Sequence, residues 1–161
     1  MCNNILSVQV LIGARKGSGS SVISTTTYSY TYDANGNITL ITNGSGVIQY
    51  KYAYDALGQL TREDNRDKGY SYVYTYDNAG NITSKKCYAF TTGTLGDVQQ
   101  TYSYSYGDSS WGDLLTSYNG ESITYDTIGN PLSAGSKEFT WEGRQMFWMV
   151  NGYENKEQNS L

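Results

Sequence analysis

One ten-residue element recurs along this chain, and its repetition constrains the fold more than any other feature. The copies read YTYDANGNIT from Tyr30, YAYDALGQLT from Tyr52, YTYDNAGNIT from Tyr74 and ITYDTIGNPL from Ile123. The first three aspartates, at positions 33, 55 and 77, are 22 residues apart. A fixed period of this length predicts stacked supersecondary units, none of which can bury its apolar face alone.

The fourth aspartate, Asp126, follows Asp77 by 49 residues, a little more than two periods. The stretch YSYGDSSWGDLL, from Tyr104 to Leu115, has the spacing and the tyrosines of a degenerate copy within that gap. TWEGRQM, from Thr140 to Met146, is a weaker echo of the same element. The repeat is therefore expected to extend over most of the chain.

Within each copy, an aspartate followed three residues later by a glycine predicts a tight turn. An aspartate that opens a type I turn can accept a hydrogen bond from the backbone N–H two residues on. A glycine at the end of the turn adopts the left-handed conformation at little cost, and such a turn closes a β-hairpin. We predict positive φ at the four glycines. The residues assigned to this structural turn motif are Tyr32, Asp33, Gly36, Tyr54, Asp55, Gly58, Tyr76, Asp77, Gly80, Tyr125, Asp126 and Gly129.

The tyrosines before each turn alternate with small polar residues, as expected of a β-strand. Tyr28, Tyr30 and Tyr32 share one face of such a strand, and Ser29 and Thr31 share the other. Return turns are expected at Asn43–Gly46 and Asn65–Gly69. The sequence thus predicts an all-β protein, an antiparallel hairpin meander over residues 25–150. Residues 1–24 are expected to form an opening strand or to be partly disordered, and residues 151–161 to be a disordered tail.

The composition limits the partners of the chain. Seventeen tyrosines and 18 glycines accompany a single proline and a formal net charge of −4. The chain lacks the basic stripe that nucleic acid requires, and it lacks an apolar run of the roughly 18 to 20 residues that span a bilayer. Arg15 and Lys16 follow the short apolar stretch near the start, whereas a secretory leader carries its positive charge before that stretch.

The residue types argue against catalysis. The chain has no histidine, the commonest general base and a common metal ligand. The repeated aspartates could supply the paired carboxylates of a glycosidase, but their position in turns favours a structural role. DANGN at Asp33 lacks the ligand spacing and the closing glutamate of a calcium loop. We therefore expect no enzyme, no cofactor and no metal site. Cys2 and Cys87 are expected to be unpaired thiols.

Some aromatic residues have a second interpretation as a binding surface. Tyr72, Tyr74, Trp111 and Trp141 could stack on sugar rings, although packing against the sheet is the preferred interpretation. The stretch MFWMV, from Met146 to Val150, is apolar on both faces. It is expected to be a buried last strand, or an edge that needs a partner and so favours self-association.

The copies resemble the Rhs/YD-repeat family, whose unit is Y-x-Y-D-x-x-G-x-L/I. The resemblance runs from Tyr28 to Met146. The segment from Asp108 to Gly143, with Trp111, the YDTIGNP copy and WEGR, is similar to the distal part of a bacterial YD-repeat region. The resemblance implies that the meander is a curved strip of a larger β-shell.

The family further implies a non-catalytic structural module. In full-length relatives, which are secreted or at the cell surface, the shell encloses a C-terminal toxin or the repeats present a cell-surface domain. The alternative is a carbohydrate- or cell-surface-binding module that uses exposed tyrosine ladders. The implied partners are further YD repeats of a longer chain, a toxin domain or glycans. The chain is too short to close a shell, lacks the Asp-Pro-rich cleavage signature and ends in NGYENKEQNSL, so we expect a fragment or a truncated reading frame.

Overall fold

The computed structural model describes residues 5–10, 26–142, 145–150 and 153–155, with side chains described from residue 27 to residue 142. Cys2, most of residues 1–24 and most of residues 151–161 lie outside the described residues. The described residues form fourteen β-strands and no helix. The strands are β1 (Ile5–Val10), β2 (Thr26–Tyr32), β3 (Ile38–Asn43), β4 (Ile48–Tyr54), β5 (Leu60–Asn65), β6 (Tyr70–Tyr76), β7 (Ile82–Ala89), β8 (Val98–Ser105), β9 (Ser117–Tyr118), β10 (Glu121–Tyr125), β11 (Pro131–Ala134), β12 (Lys137–Glu142), β13 (Gln145–Val150) and β14 (Tyr153–Asn155).

The strand order follows the order of the chain, and neighbouring strands run antiparallel. This confirms the predicted all-β hairpin meander. The chain divides into two compact units, the first comprising Met1–Thr75 and Lys85–Thr101 and the second comprising Tyr76–Ser84 and Tyr102–Leu161. β1 lies within the segment expected to open the fold, and β14 lies within the segment expected to be a disordered tail.

In the first unit, the strand register separates two chemically different faces. On one face, Tyr52 of β4 lies opposite Glu63 of β5, and Glu63 lies opposite Tyr72 of β6. On the other face, Lys51 lies opposite Asp64, which in turn lies opposite Ser71 of β6. The tyrosines that alternate in the sequence therefore line one face only, as the period of two predicts.

The register shifts by one residue just before the turn in three hairpins. The shifts lie between Thr31 and Tyr32, between Ala53 and Tyr54, and between Thr124 and Tyr125. Each is a β-bulge, which increases the local right-handed twist. The same irregularity thus recurs at the start of three of the four tyrosine–aspartate pairs.

The most deeply buried side chains of the first unit lie on β5, β6 and β7. Two of them are apolar, Tyr72 and Cys87, and three are polar, Asp64, Asn65 and Ser71. Cys87 is a free thiol, and its burial raises its pKa. Asp64 is fully buried, and its Oδ1 accepts a bond of 2.7 Å from Nε of Arg62.

A short segment of the β7–β8 connection, Phe90–Gly93, covers this polar face, and we call it the strap. Two hydrogen bonds join the strap to Ser71, whose Oγ donates to the Thr91 carbonyl and accepts from the Thr91 N–H, at 3.0 and 3.1 Å. Nη2 of Arg62 donates to the carbonyls of Thr91 and Gly93 at 2.8 and 2.9 Å. Nζ of Lys51 donates to the Thr92 carbonyl at 2.9 Å. The strap therefore ties β7 to three strands that precede it in the chain.

The second unit continues the meander with shorter strands. β9 pairs with β8 through Tyr104 and Tyr118 and with β10 through Tyr118 and Glu121. β13, which contains the MFWMV stretch, pairs with β12 on one side and with β14 on the other. That stretch is therefore a paired strand and not a sheet edge, while its side chains lie outside the described residues.

Candidate functional site

The repeated aspartates each close a turn with their own carboxylate. Oδ1 of Asp33 accepts from the backbone N–H groups of Asn35 and Asn37, both at 2.9 Å, and Oδ2 accepts from Nδ2 of Asn37 at 3.0 Å. The Asp33 N–H donates to the Asn37 carbonyl, and the Gly36 N–H donates to the Asp33 carbonyl. Asp77 and Asp126 make the same set of bonds in their own turns.

These hydrogen bonds favour the charged form of the carboxylates. The side-chain bond from Asn37, followed by the backbone bond from the same residue, lowers the pKa of Asp33. The corresponding bonds from Asn81 lower the pKa of Asp77. For Asp126, burial acts to raise the pKa, but the bonds from Asn130 and the turn N–H groups together outweigh it, and the pKa is lowered. The carboxylates therefore serve as acceptors within the turn.

The second copy has a simpler turn. Oδ1 of Asp55 accepts from the N–H groups of Leu57 and Gln59, both at 2.9 Å, and glutamine stands where the other turns have asparagine. Positive φ is found at each of the four turn glycines, at Gly36 (87°), Gly58 (80°), Gly80 (92°) and Gly129 (89°). The predicted backbone conformation is thus present in every copy.

The return turn at Asn43 uses the same geometry with an amide in place of the carboxylate. Oδ1 of Asn43 accepts from the N–H groups of Ser45 and Val47 at 3.1 and 2.9 Å. Gly46, three residues after Asn43, has φ of 75°. Gly69 ends the second predicted return turn with φ of 71°. Both turns were predicted from the sequence, but the shared role of Asn43, which its Asn-x-x-Gly spacing signals, was missed.

The tyrosine before the turn joins one hairpin to the hairpin that precedes it in the chain. The hydroxyl of Tyr54 donates to the carbonyl of Ile38 at 2.9 Å. The hydroxyl of Tyr106 donates to the carbonyl of Ile82 at 3.0 Å, and that of Tyr125 donates to the carbonyl of Leu115 at 2.7 Å. Ile38 and Ile82 are the first residues of β3 and β7, the strands that follow the preceding turns. We call these contacts the tyrosine links.

Tyr54 and Tyr125 were predicted from the sequence as part of the turn motif, but the links themselves were not predicted. The signal was present, because a tyrosine stands immediately before the aspartate in all four copies, whereas alternation alone requires only an apolar residue there. Burial raises the pKa of the hydroxyl groups of Tyr54, Tyr106 and Tyr125. The three tyrosine hydroxyl groups are therefore protonated at neutral pH and can donate the hydrogen bonds of the links.

The four candidate glycan-contact aromatics differ in their exposure to solvent. Tyr72 is only 9% exposed, and Nζ of Lys85 lies 4.1 Å from its ring centroid. The hydroxyl of Tyr74 donates to Oε2 of Glu63 at 3.2 Å. Nε1 of Trp141 donates to the Pro131 carbonyl at 2.8 Å, so this side chain packs within the second unit. Trp111 is the candidate that stands open, with 47% of its surface exposed.

Trp111 lies in the degenerate copy, where the turn is replaced by a longer loop. Tyr106 keeps the tyrosine link, but Gly107 takes the place of the aspartate. The carboxylate is moved one residue along, and Oδ1 of Asp108 accepts from the N–H groups of Ser110 and Trp111 at 2.8 and 2.9 Å. The Gly107 N–H donates to Oγ1 of Thr116 at 2.8 Å, which closes the loop. The predicted degenerate copy therefore has a loop over residues 107–116 in place of the tight turn.

The loop places the Trp111 ring against the turn of the last copy. A Cβ added at Gly129 would lie 2.7 Å from Cη2 and 2.8 Å from Cζ3 of Trp111. Beside the ring is an open pocket of about 430 Å³. The lining includes Asp108, Trp111, Leu114, Ile123, Tyr125 and Asp126.

Two negative findings concern the described part of the chain. No group of three or more His, Cys, Asp or Glu side chains there is arranged to hold a metal ion. None of the described residues belongs to a helix long and apolar enough to cross a membrane.

A repeated turn, a repeated bulge and a repeated side-chain link to the preceding hairpin define the class of protein. The chain is a β-hairpin repeat protein, in which each unit pairs with its neighbours in sequence. The model of the RHS Repeat family matches residues 32–69 and again residues 54–86, which confirms over these residues the resemblance to the Rhs/YD-repeat family that the tyrosine–aspartate copies predicted. No curated protein matches the chain.

Proposed function

We propose that the chain is a non-catalytic architectural module, a length of YD-repeat sheet that adds to further repeats. The observation that carries this proposal is the tyrosine link, because the same hydroxyl-to-carbonyl bond joins a hairpin to its predecessor at Tyr54, Tyr106 and Tyr125. A catalytic site needs a unique constellation of unlike groups, whereas these groups are alike and recur. The stability of such an array is then approximately the sum of the intrinsic stability of each repeat and the stabilisation at each interface between neighbouring repeats.

We place this module in a curved strip of a larger shell. The bulges before Tyr32, Tyr54 and Tyr125 support the proposal, since a bulge adds twist at the same point of each hairpin. RHS-repeat proteins are generally extracellular or attached to the cell surface, and we propose the same location here. In this proposal the strip encloses a toxin domain or presents a surface domain of a longer chain.

The architectural proposal is tested by changing the number of units. Duplicating residues 33–54 inserts one period of two strands and two turns, so every later strand keeps its direction and the tyrosine links are kept. We expect a folded protein with a higher urea midpoint and a larger m-value, because the added hairpin buries new surface. The matched control duplicates residues 33–43 alone, which adds a single strand and reverses the direction of those that follow. Equal loss of folded structure in both variants would refute the proposal.

The second candidate function is binding of a glycan, and the exposure of Trp111 is the observation that favours it. The burial of Tyr72 under Lys85 argues against the tyrosine ladder of β6 as the platform. The experiment is a titration with cell-wall polysaccharides, read by the tryptophan fluorescence of the wild-type chain and of the Trp111→Phe variant. A saturable change in fluorescence that is lost in the variant supports glycan binding. If the fluorescence does not change, only the architectural role is supported.

A further inference from the structure

The pocket beside Trp111 combines an open aromatic surface with negative charge. Asp108 and Asp126 both line it, and Leu114 and Ile123 supply apolar wall. Nearly half of the surface of Trp111 remains accessible although the ring end packs over Gly129. An aromatic face attracts cations through its quadrupole, and a carboxylate beside it adds direct attraction.

The two carboxylates of the pocket differ in how many of their oxygens accept hydrogen bonds. Asp126 uses Oδ1 for two backbone N–H groups and Oδ2 for Nδ2 of Asn130, so its oxygens are engaged within its own turn. Asp108 uses Oδ1 for the N–H groups of Ser110 and Trp111. Its Oδ2 makes no hydrogen bond to another described residue, and it is therefore available to a donor that enters the pocket.

The stretch of sequence that contains the pocket residues carries no positive charge. Residues 87–136 contain no lysine and no arginine. They contain five acidic residues, Asp97, Asp108, Asp113, Glu121 and Asp126. A site of this kind attracts a positively charged ligand and disfavours an anionic one.

We infer that the Trp111 pocket binds an arginine side chain of a partner polypeptide, with the guanidinium stacked on the indole and hydrogen-bonded to Oδ2 of Asp108. A guanidinium fits both features, since it is planar, stacks on aromatic faces and donates in a fork that matches a carboxylate. A lysine ammonium is a strongly hydrated point charge and gains less from the stack. The degenerate copy thus gives one place in a repeated sheet a recognition function.

The ligand arms of the test use the full chain and short glycine–serine peptides that carry one arginine, one citrulline or one lysine. Binding is followed by NMR at the indole N–H of Trp111, assigned by its loss in Trp111→Phe. The arginine peptide should shift this signal saturably in the millimolar range, more weakly as salt is raised. The citrulline peptide, which has the same shape without the charge, should not shift it, and the lysine peptide should bind more weakly.

The protein arms compare two variants of the same loop. Asp108→Asn keeps an Oδ1 acceptor for the Ser110 and Trp111 N–H groups while it removes the charge, and it should weaken arginine binding by about fivefold to tenfold. Asp113→Asn makes the same charge change at a residue that does not line the pocket, and its effect should be less than about twofold. Circular dichroism checks that both variants fold.

The inference is overturned by any of three results. These are a citrulline peptide that binds as well as the arginine peptide, equal effects of the two variants, and no shift of the Trp111 signal with the arginine peptide. A shift caused by neutral oligosaccharides but not by arginine also overturns it, in favour of glycan binding. If Asp108→Asn does not fold, the comparison of arginine with citrulline on the wild-type chain still decides.

Discussion

The turn at Asp77 and the loop at Asp108 both follow a strand and lead the chain back into the sheet, but their hydrogen bonds differ. In the regular turn, Oδ1 of Asp77 accepts from the N–H groups of Ala79 and Asn81, and the chain reverses at once. In the loop, Oδ1 of Asp108 accepts from the N–H groups of Ser110 and Trp111, and the chain continues to Thr116 before it rejoins the sheet. The regular turn has a glycine at positive φ, whereas Gly107 and Gly112 of the loop do not.

The tyrosine link is present in both regions, and this separates two roles that the repeat combines. Tyr106 bonds to the Ile82 carbonyl although no aspartate follows it directly. Joining a hairpin to its predecessor therefore does not depend on how the hairpin itself is closed. The aspartate and glycine serve the turn, and the tyrosine serves the neighbour.

The largest expected effect tests the turn glycine against the loop glycine. Gly80→Val should lower the free energy of unfolding by about 2 kcal/mol, because a β-branched residue is strained at φ of 92°. Gly112→Val should cost far less, since a Cβ at Gly112 meets nothing within 4 Å and Gly112 does not have positive φ. Urea denaturation measures both. Equal midpoints would mean that backbone conformation is not what the turn glycine provides.

A second comparison isolates the contact between the loop and the last turn. Gly58→Ala introduces a side chain at positive φ into open space and should cost about 1 kcal/mol. Gly129→Ala carries the same backbone strain and also meets the Trp111 ring, so we expect about 2 kcal/mol and a red-shifted tryptophan emission. Similar costs for the two variants, with unchanged emission, would show that Trp111 moves aside freely.

The third comparison tests the tyrosine link. Tyr106→Phe removes the donor to the Ile82 carbonyl and should cost about 1 kcal/mol, the usual contribution of such a bond. The control is Tyr70→Phe, because Tyr70 is 41% exposed and its hydroxyl makes no hydrogen bond to a described residue. Thermal or urea unfolding of the two variants measures the difference. If both variants are as stable as the wild type, the link is incidental to the repeat.

The smallest expected effect is a loss of folding stability at low pH, caused by the aspartates of the regular turns. The pKa values of Asp33, Asp77 and Asp126 are lowered by folding, so the unfolded chain takes up protons first as the pH falls. Their contribution is complete above the unfolded value near 3.8 and is lost as the pH drops through the lower folded values. Urea midpoints at pH 6 and below pH 3.8 measure it. The triple Asp→Asn variant should lose less stability over that range, and an identical loss would contradict the assignment.

The parts of the fold that were predictable are those decided within a few residues. The turn at Asp33 depends on groups two to four residues away, so its glycine conformation follows from the sequence. The links were not predictable from local chemistry, since Tyr106 bonds to a carbonyl 24 residues earlier. The strap is more distant still, with Lys51 and Thr92 separated by 41 residues. No periodicity signals such a contact.

The candidate binding aromatics show the same limit. Alternation places Tyr72 on a face of β6, but whether that face is open depends on Lys85 of β7. Trp111 is exposed because Asp108 turns the loop and Gly129 leaves room for the ring end. Asp108 of the degenerate copy was apparent in the sequence. Its role in the loop follows only from the hydrogen bonds that it accepts from the N–H groups of Ser110 and Trp111.

The acceptors of the tyrosine links are main-chain carbonyls, at Ile38, Ile82 and Leu115. Every residue type supplies that acceptor, so the link makes no demand on the side chains of the hairpin before it. Gene duplication and unequal recombination can therefore insert, delete or exchange whole units without a compensating substitution in a neighbour. Such a junction allows the length of an array to change in a single genetic event while each unit diverges in sequence on its own.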